Sequence, residues 1–567
     1  MTICGPTVPF CEEVHSQKYR SEGESFREAI NRVASALQDD DEHFHKIQEI
    51  MLDMRFMPGG RIQTAMGSTK NVTPYSCFVI PIEDSFVDGS NSIMNAATNA
   101  ATTMRMGGGV GYDFSSLRPR GSLIKKLQSL SSGPISFMHI YDAVCRATAS
   151  SGHRRGAQMS VLRVDHPDIE EFIHAKNNQD KLTGFNTSIA ITDEFMAAVI
   201  SGKKFALRFG GEVYRFVDAF ELWENIMRST WDWAEPGVLF IDQINRMNNL
   251  WYIENLVACN PCSEQPLPPF GACLLGSFNL VKYLVKDKMD GRWKFDYARF
   301  GRDISPIVRM MDNVVDRAIY PMDAQYREAI SKRRMGLGIT GLANAGEALG
   351  YTYGSAEFVQ FENTVLQELT ECAYRASVNR AIEKGPFPLF DKEKYCAGNF
   401  IKSLSIETRA AIYEHGIRNS HLTSIAPTGT ISFCADNVSS GIEPVFAYEF
   451  DRSVIEFGGV RTEKIQDYGV KFLGVHGKRS MDITAAEHIN VLATAQRWSD
   501  SSVSKTVNMT GAMPWEDFKG IYLEAWKRGA KGCATFNSDG KRAGMLVAKE
   551  DQAVSCTIGP DGKKDCG

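Results

Sequence analysis

The sequence predicts an α/β protein, and two observations predict it. Strand-length apolar runs alternate with segments of helical period along most of the chain. The chain's 567 residues, 43% of them hydrophobic and 23% charged, are enough to bury a sizeable core. Such a length suits more than one domain, or one large α/β barrel with additions.

The elements follow in order. Over 25–54, Phe26, Ile30, Val33 and Leu37, then Phe44, Ile47, Ile50, Met51 and Met54, recur at helical spacing. Phe56-Met-Pro-Gly-Gly60 stops that pattern. Tyr75-Ser-Cys-Phe-Val-Ile-Pro81 reads as a short strand, and 92–106 as a helix ended by Gly107-Gly-Gly109. Apolar runs at 161–164, 187–191, 238–241 and 423–425 read as strands. The segments 218–230, 304–320 and 356–384 read as helices. The polar end, 548–567, with Gly559-Pro-Asp-Gly562 in its middle, reads as a mobile tail. No internal repeat or low-complexity linker interrupts the alternation.

Composition excludes several classes of function. A net charge of −5 offers no general nucleic-acid or membrane surface. No apolar run is long enough for a transmembrane helix, and 1–12 lack a signal pattern. The cytoplasm is the expected compartment. Thirteen scattered cysteines without a signal peptide do not read as a disulfide framework; most are expected as small buried hydrophobes. His43 and His45 lie two apart on a helix and face different sides. Cys4 and Cys11 lack the paired spacing of a zinc site. No metal site is expected.

The richest segment is Asn260-Pro-Cys-Ser-Glu264. Read as extended chain, it aims Asn260, Cys262 and Glu264 to one side. An amide, a thiol and a carboxylate facing one substrate can do redox or radical work. A proline-rich loop around Cys262 argues against simple core packing; for Cys77, burial in a core strand is the plainer reading. Ala426-Pro-Thr-Gly-Thr-Ile-Ser432 follows a strand, and its hydroxyls and amides suit phosphate, although many turns share the pattern. Gly107-Gly-Gly-Val-Gly111, followed by Ser116-Leu-Arg-Pro-Arg-Gly121, could let a ligand approach closely or be a surface loop. Ser151-Gly-His-Arg-Arg-Gly-Ala157 poses the same choice. Gly336-Leu-Gly-Ile-Thr-Gly341 is formally GxGxxG, but it lies deep in the chain, with no acidic residue at the distance a dinucleotide fold needs.

Taken together, these motifs resemble the catalytic chain of ribonucleotide reductases. Asn260-Pro-Cys-Ser-Glu-Gln-Pro-Leu-Pro-Pro-Phe-Gly-Ala-Cys273, then Leu-Leu-Gly-Ser-Phe-Asn-Leu280, is similar to the finger loop of the adenosylcobalamin-dependent class. The segments 107–121, 154–168, 334–344, 427–432 and Ser440-Gly-Ile-Glu-Pro444 match as well. The likeness runs from Phe56 to the C-terminus, and jointly the motifs are highly specific.

The resemblance implies a ten-stranded α/β barrel of two antiparallel-arranged five-stranded half-sheets. It would occupy 76–545, with a finger loop (258–275) through its middle, N-terminal helices over 1–75 and a redox tail over 546–567. It implies that Cys262 carries a thiyl radical, that Glu264 is its base and that Asn260 holds the ribose hydroxyls. Cys77 and Cys273 would supply two electrons and close to a disulfide, so their Cα atoms must lie within about 7 Å. Ser76, Gly108, Pro427, Thr428, Gly429, Thr430 and Ser432 would hold the ribonucleotide substrate. Asp84, Ser85, Arg118, Arg154 and Arg155 would bind a deoxynucleotide effector. Cys556 and Cys566 would re-reduce the pair, drawing on thioredoxin or a similar reductant. The run from Gly544 to Cys556, fully extended, spans about 40 Å, enough to reach into a barrel. A homodimer is implied, with no nucleic-acid or membrane partner.

Metal-dependent relatives deliver the radical from a second subunit through paired tyrosines late in the barrel. Here the corresponding stretch is Lys531-Gly-Cys-Ala-Thr-Phe-Asn537, and Phe536 has no phenolic proton to lose. That favours adenosylcobalamin as the radical source. Two alternatives stand beside it: the catalytic subunit of a two-subunit enzyme, and a non-catalytic nucleotide-binding regulator. The stretch before Phe56 is too short for the usual nucleotide-binding cone, so general inhibition by dATP is not expected.

Overall fold

The computed structural model describes residues 4–149, 157–177, 180–456, 459–541, 556–558 and 564–566. The N-terminal periodic stretch is two helices, Phe26–Leu37 and Asp41–Leu52, after a first helix Pro9–Tyr19. Caps explain the split. Ser25 and Glu28 form a capping box at the start of one, and Asp40 accepts from His43 N at the start of the next (2.8 Å).

Ten strands make up the two larger sheets: β1 (Phe56–Pro58), β2 (Cys77–Val79), β3 (Gly109–Asp113), β4 (Gln158–Arg163), β5 (Phe185–Ile191), β6 (Gly237–Phe240), β7 (Leu275–Asn279), β8 (Gly336–Thr340), β9 (Thr506–Met509) and β10 (Gly532–Asn537). β2, β3, β4, β5 and β6 pair in that order, all parallel. Helices Ile93–Arg105, Pro134–Ala149, Ile169–Ile173 and Ala219–Trp233 lie in the connections between them. These are the crossovers that parallel pairing demands. β10 then adds antiparallel to β6, and β9 parallel to β10. In a second sheet β7 lies between antiparallel β1 and parallel β8.

The strands of the two larger sheets therefore divide seven and three, where two halves of five were expected. The segment 422–425 shows why. It meets β8 and Val503 at the isolated bridges Leu337↔Thr423 and Ile425↔Val503 rather than in a continuous ladder. The Leu422 and Thr423 amides donate instead to the buried Asp500 carboxylate (2.6 and 3.2 Å), which takes them out of a ladder. On the other side, β2 runs antiparallel to 271–273, just ahead of β7, through Phe78↔Ala272. Long helices Tyr297–Arg317 and Ala356–Lys384 pack on each other, and Phe300 of the first meets Phe278 of β7 edge-on, with ring centroids 5.5 Å apart. Beside them the buried Arg333 pairs with Asp312 and Asp316, each at 2.7 Å. Among the described residues no helix is long and apolar enough to cross a membrane.

Candidate active site

The segment 260–264 is not extended chain. Ala258↔Leu267 and Cys259↔Pro266 pair antiparallel, and 260–265 form the turn of that hairpin. Asn260 N donates to Gln265 O (3.1 Å), and Gln265 N donates to Asn260 Oδ1 (3.0 Å). Ser263 sits at φ +66° to close the turn. The three side chains are consequently not equivalent: Cys262 is exposed at the tip, whereas Asn260 and Glu264 are buried (1% and 2%).

Neighbouring elements hold this tip by its main chain. Asn186 Nδ2, from β5, donates to Pro261 O (2.9 Å). Ser424 Oγ and Ser502 N both donate to Glu264 O (2.8 and 2.9 Å). On β3, glycine is a steric necessity: a Cβ on Gly111 would lie 1.9 Å from Cys259 O. One on Gly109 would lie 3.1 Å from Cys77 Sγ and 3.4 Å from Pro261.

Beneath the tip lie two thiols far apart in sequence. Cys273 N donates to Cys77 O (2.8 Å) and Val79 N to Gly271 O (3.0 Å), a register that sets Cys77 beside Cys273. Both are buried in a small apolar cluster with Val79, Ala258, Leu267 and Leu275. Burial, and then the adjoining Cys77 thiol, push the Cys273 thiol well above the usual range; Glu264 and Cys262 add to the effect. Cys77, Glu264 and Cys262 thus all lie within electrostatic reach of Cys273.

Sequence reasoning passed over two neighbours. Burial pushes the Cys259 thiol up to about 12, and its Sγ lies 3.7 Å from Ser263 Oγ. Gln265 is 2% exposed. Its Nε2, like Asn260 Nδ2, has no hydrogen-bond partner among the described residues. A buried donor left unsatisfied costs about 1–3 kcal/mol, so two in one turn point to a polar ligand. A lone amide inside a proline-rich apolar run was the available signal for Gln265.

The 426–434 turn adjoins the thiols, since Ala426 packs on their cluster. Thr428 is left-handed (φ +57°), an outlier for a β-branched residue. Its Oγ1 lies 3.0 Å from Thr340 Oγ1 and accepts from Gly441 N (2.7 Å). The short helix Gly429–Cys434 begins there, with Thr430 in its first turn and open space around Gly429. Ser432 Oγ lies 2.9 Å from Ser440 Oγ, and Pro427 precedes the turn. Ser76 ties the Cys273 segment to β3, its N donating to Cys273 O (3.1 Å) and its O accepting from Gly109 N (2.8 Å). Gly108 is a packing glycine: a Cβ would lie 2.9 Å from the Phe78 ring. The GxGxxG run is β8 itself. A Cβ on Gly338 would lie 2.4 Å from Ser424 O, so that glycine admits a neighbouring strand rather than a dinucleotide.

Asp84 and Arg118 lie together elsewhere, Arg118 Nε donating to Asp84 Oδ2 (2.7 Å). Ser85 Oγ accepts from Asp88 N (3.1 Å) in the adjoining loop. Arg154 and Arg155 lie outside the described residues. Cys556 and Cys566 are opposed in register in a two-stranded antiparallel ladder; their side chains are outside the described part. Phe536 lies in β10, opposite Asn508 of β9.

A thiol-bearing hairpin inside a mixed α/β frame is the class of protein that fold and site define, and comparison with known families is specific about it. The family model "Ribonucleotide reductase, barrel domain" matches residues 75–536, and the chain belongs to that family. It is 34% identical to the vitamin B12-dependent ribonucleoside-diphosphate reductase of Mycobacterium tuberculosis, over 88% of this chain and 72% of the relative. It is 31% identical to the protein of that name from Thermoplasma acidophilum, over 96% of this chain and 72% of the relative. A ribonucleoside-diphosphate reductase subunit alpha from Chlamydia muridarum is 26% identical, over 80% of this chain and 51% of the relative.

Proposed function

We propose that this chain reduces ribonucleotides to 2′-deoxyribonucleotides by thiyl-radical chemistry at Cys262, with adenosylcobalamin as the radical source. The observation that carries the proposal is the placing of buried Cys77 and Cys273 side by side beneath a tip that bears Asn260, Cys262 and Glu264. The names of the two nearer relatives supply the cofactor and suggest a diphosphate substrate.

The residues suit the chemistry step by step. Cys262 as a thiyl takes the 3′ hydrogen, forming its S–H bond. Glu264 takes the 3′-hydroxyl proton, and the 2′-hydroxyl leaves as water with a proton from the Cys77–Cys273 pair. The second thiol of the pair gives its hydrogen to C2′. The pair closes to a disulfide as its remaining electron passes to the 3′ carbonyl and Glu264 returns the proton to the 3′ oxygen, and Cys262 returns its hydrogen to C3′ and is a thiyl again. Burial keeps the Cys273 thiol protonated, which suits a donor of hydrogen rather than a nucleophile. Asn260 Nδ2, a buried donor without a hydrogen-bond partner among the described residues, suits a ribose hydroxyl. The turn 427–432 offers first-turn amides to phosphate.

Adenosylcobalamin, when bound, supplies the one-electron oxidation of Cys262. The chain's own residues fit it in one respect: Cys262 is exposed while its partners are buried, so a bulky group can reach that thiol alone. Cys262 and the exposed Asn186 beside Pro261 are the residues that would face it.

We read the two sheets as parts of one ten-stranded barrel, supported by the bridges at 337–423, 425–503 and 78–272. We assign Asp84, Ser85, Arg118, Arg154 and Arg155 to a deoxynucleotide effector. Exposed Phe86 and Val87 beside them suit a second copy of the chain. We assign Cys556 and Cys566 to re-reduction of the pair by a thioredoxin-like partner; their opposed register supports that.

The test is anaerobic incubation of the purified chain with adenosylcobalamin, a ribonucleoside diphosphate and dithiothreitol. Deoxynucleotide should form with no second protein. Product only on adding a metal-containing subunit would overturn the cofactor assignment.

A further inference from the structure

We propose that the N-terminal segment is a working part of the substrate site, with Asp436 as the positioning residue that joins the two. The proposal rests on reading 427–432 as the phosphate turn.

The helix Gly429–Cys434 is only six residues long, too short to hold its own orientation. Its entry is fixed by Thr428, described above. Its exit is as constrained: Asp436 (φ +62°) and Asn437 (φ +60°) are consecutive left-handed residues, a conformation that L residues adopt singly and mainly as Asn or Asp. What holds the exit comes from the other end of the chain. Asp436 Oδ1 accepts from Thr7 N (2.7 Å) and Val8 N (2.8 Å), and Oδ2 accepts from Thr7 Oγ1 (2.8 Å). Asp436 itself is 2% exposed.

Those amides lead into helix Pro9–Tyr19, which has no side-chain cap of its own. Asp436 therefore fixes the entry to that helix by satisfying the N-cap amide, Val8 N, and its carboxylate complements the positive end of the helix. Side chains extend the junction. Phe10 meets Phe433 edge-on, with ring centroids 5.6 Å apart. The Arg452 guanidinium lies 3.9 Å from the Phe433 centroid and 5.7 Å from that of Phe10. A small cavity bounded by His15, Met51, Ile431 and Cys434 lies on the same side of the short helix. One face of the phosphate helix is thus built against the N-terminal helices, and a shift at Asp436 has one turn of helix in which to relax before it reaches Gly429 and Thr430.

Two consequences follow from linkage. Loosening Asp436 weakens binding of the phosphate end of a substrate, and a bound phosphate tightens the N-terminal segment by the same factor. The experiment uses the full chain and two ligands, a ribonucleoside diphosphate and the ribonucleoside without phosphate. Asp436→Ala should weaken the diphosphate about tenfold, the loss expected from one or two hydrogen bonds, and leave the nucleoside within about twofold. KM should rise with kcat largely kept. Asp436→Asn, which retains an acceptor for the amides, should fall between. In the wild type, diphosphate should slow deuterium uptake over residues 4–8; in Asp436→Ala it should not.

Gly429→Asp, which places a carboxylate in the open space at the turn, separates the two failures. If Gly429→Asp selectively weakens the diphosphate and Asp436→Ala weakens both ligands equally or neither, the clamp is wrong and the phosphate turn stands. If Gly429→Asp shows no selectivity, the phosphate reading fails and the clamp with it. Should Asp436→Ala not fold, Thr7→Val removes the Oγ1 bond alone and carries the same comparison with a smaller shift.

Discussion

The hairpin 258–267 and the turn 426–434 lie side by side and are held in opposite ways. The hairpin is gripped by its main chain: Pro261 O and Glu264 O take hydrogen bonds from Asn186, Ser424 and Ser502, and β3 glycines let the backbone sit flush. Of its side chains, Asn260 Oδ1 is engaged by Gln265 N within the turn, while Cys262 is exposed at the tip. The turn is gripped by its side chains, through Thr428, Ser432 and Asp436, and its main-chain amides are left for a ligand. The lesson is that side-chain substitutions should separate along this line. In the hairpin they remove reactivity and spare stability. In the turn they alter binding and geometry and spare reactivity.

The largest expected effect tests the first half. Cys262→Ser should bring deoxynucleotide formation to background. Because Cys262 is exposed at the tip, its change in stability should stay within about 0.5 kcal/mol. A large fall in Tm would mean that the tip side chains do hold the hairpin.

Next comes the grip itself. Gly111→Ala forces a Cβ into Cys259 O, so the hairpin must move; overpacking of this kind costs about 1–3 kcal/mol. A displacement near 1 Å at the reacting groups costs about a hundredfold in rate, so kcat should fall far more than stability alone explains. Gly520→Ala, a helical glycine with nothing within 4 Å of its Cβ position, is the neutral control.

A pH effect follows from the buried thiols. Their folded pKa values are raised, Cys259 to about 12 and Cys273 well above the usual range. Below the unfolded value of about 8.5 both states are protonated and nothing is gained or lost. Above it the unfolded chain sheds protons that the native state keeps, so stability falls as pH rises, by up to about 1.4 kcal/mol per pH unit for each such thiol. Denaturant titrations between pH 8 and 10 should show a shallower fall for Cys259→Ala than for wild type. Equal slopes would place Cys259 in a more polar setting.

What the sequence made legible tracks how local the cause is. Helix Ala356–Lys384 coincides with its predicted span because the cap Ser355 and the terminating Gly385 adjoin the periodic run. Asn260, Cys262 and Glu264 stand out as candidates because an amide, a thiol and a carboxylate crowd into one pentapeptide. Distant causes stayed hidden. Nothing near 423–425 says that Asp500 takes its amides. Nothing in GxGxxG distinguishes a glycine that admits phosphate from one that admits Ser424 O. The hairpin turn at 260–265 depends on Ser263 adopting a left-handed conformation, for which serine carries no signal.

The smallest effect is the most diagnostic for the turn. Thr428 carries two opposed contributions. Its left-handed backbone (φ +57°) costs roughly 1–2 kcal/mol for a residue with a Cβ. Its hydroxyl contacts to Gly441 N and Thr340 Oγ1 return about 0.5–1.5 kcal/mol each. Thr428→Gly removes both contributions, so Tm should hardly move. Thr428→Ala keeps the strain and loses the hydroxyl, so it should be the less stable of the two by about 1 kcal/mol. In both variants Gly441 N loses its acceptor and the turn loosens, so KM for a phosphorylated substrate should rise several-fold while kcat holds. If Thr428→Gly is instead the less stable variant, the left-handed backbone at 428 carries little strain, since both variants lack the hydroxyl. If kcat falls and KM does not, the turn acts on the reacting ribose, and the division of labour between the two regions is wrong.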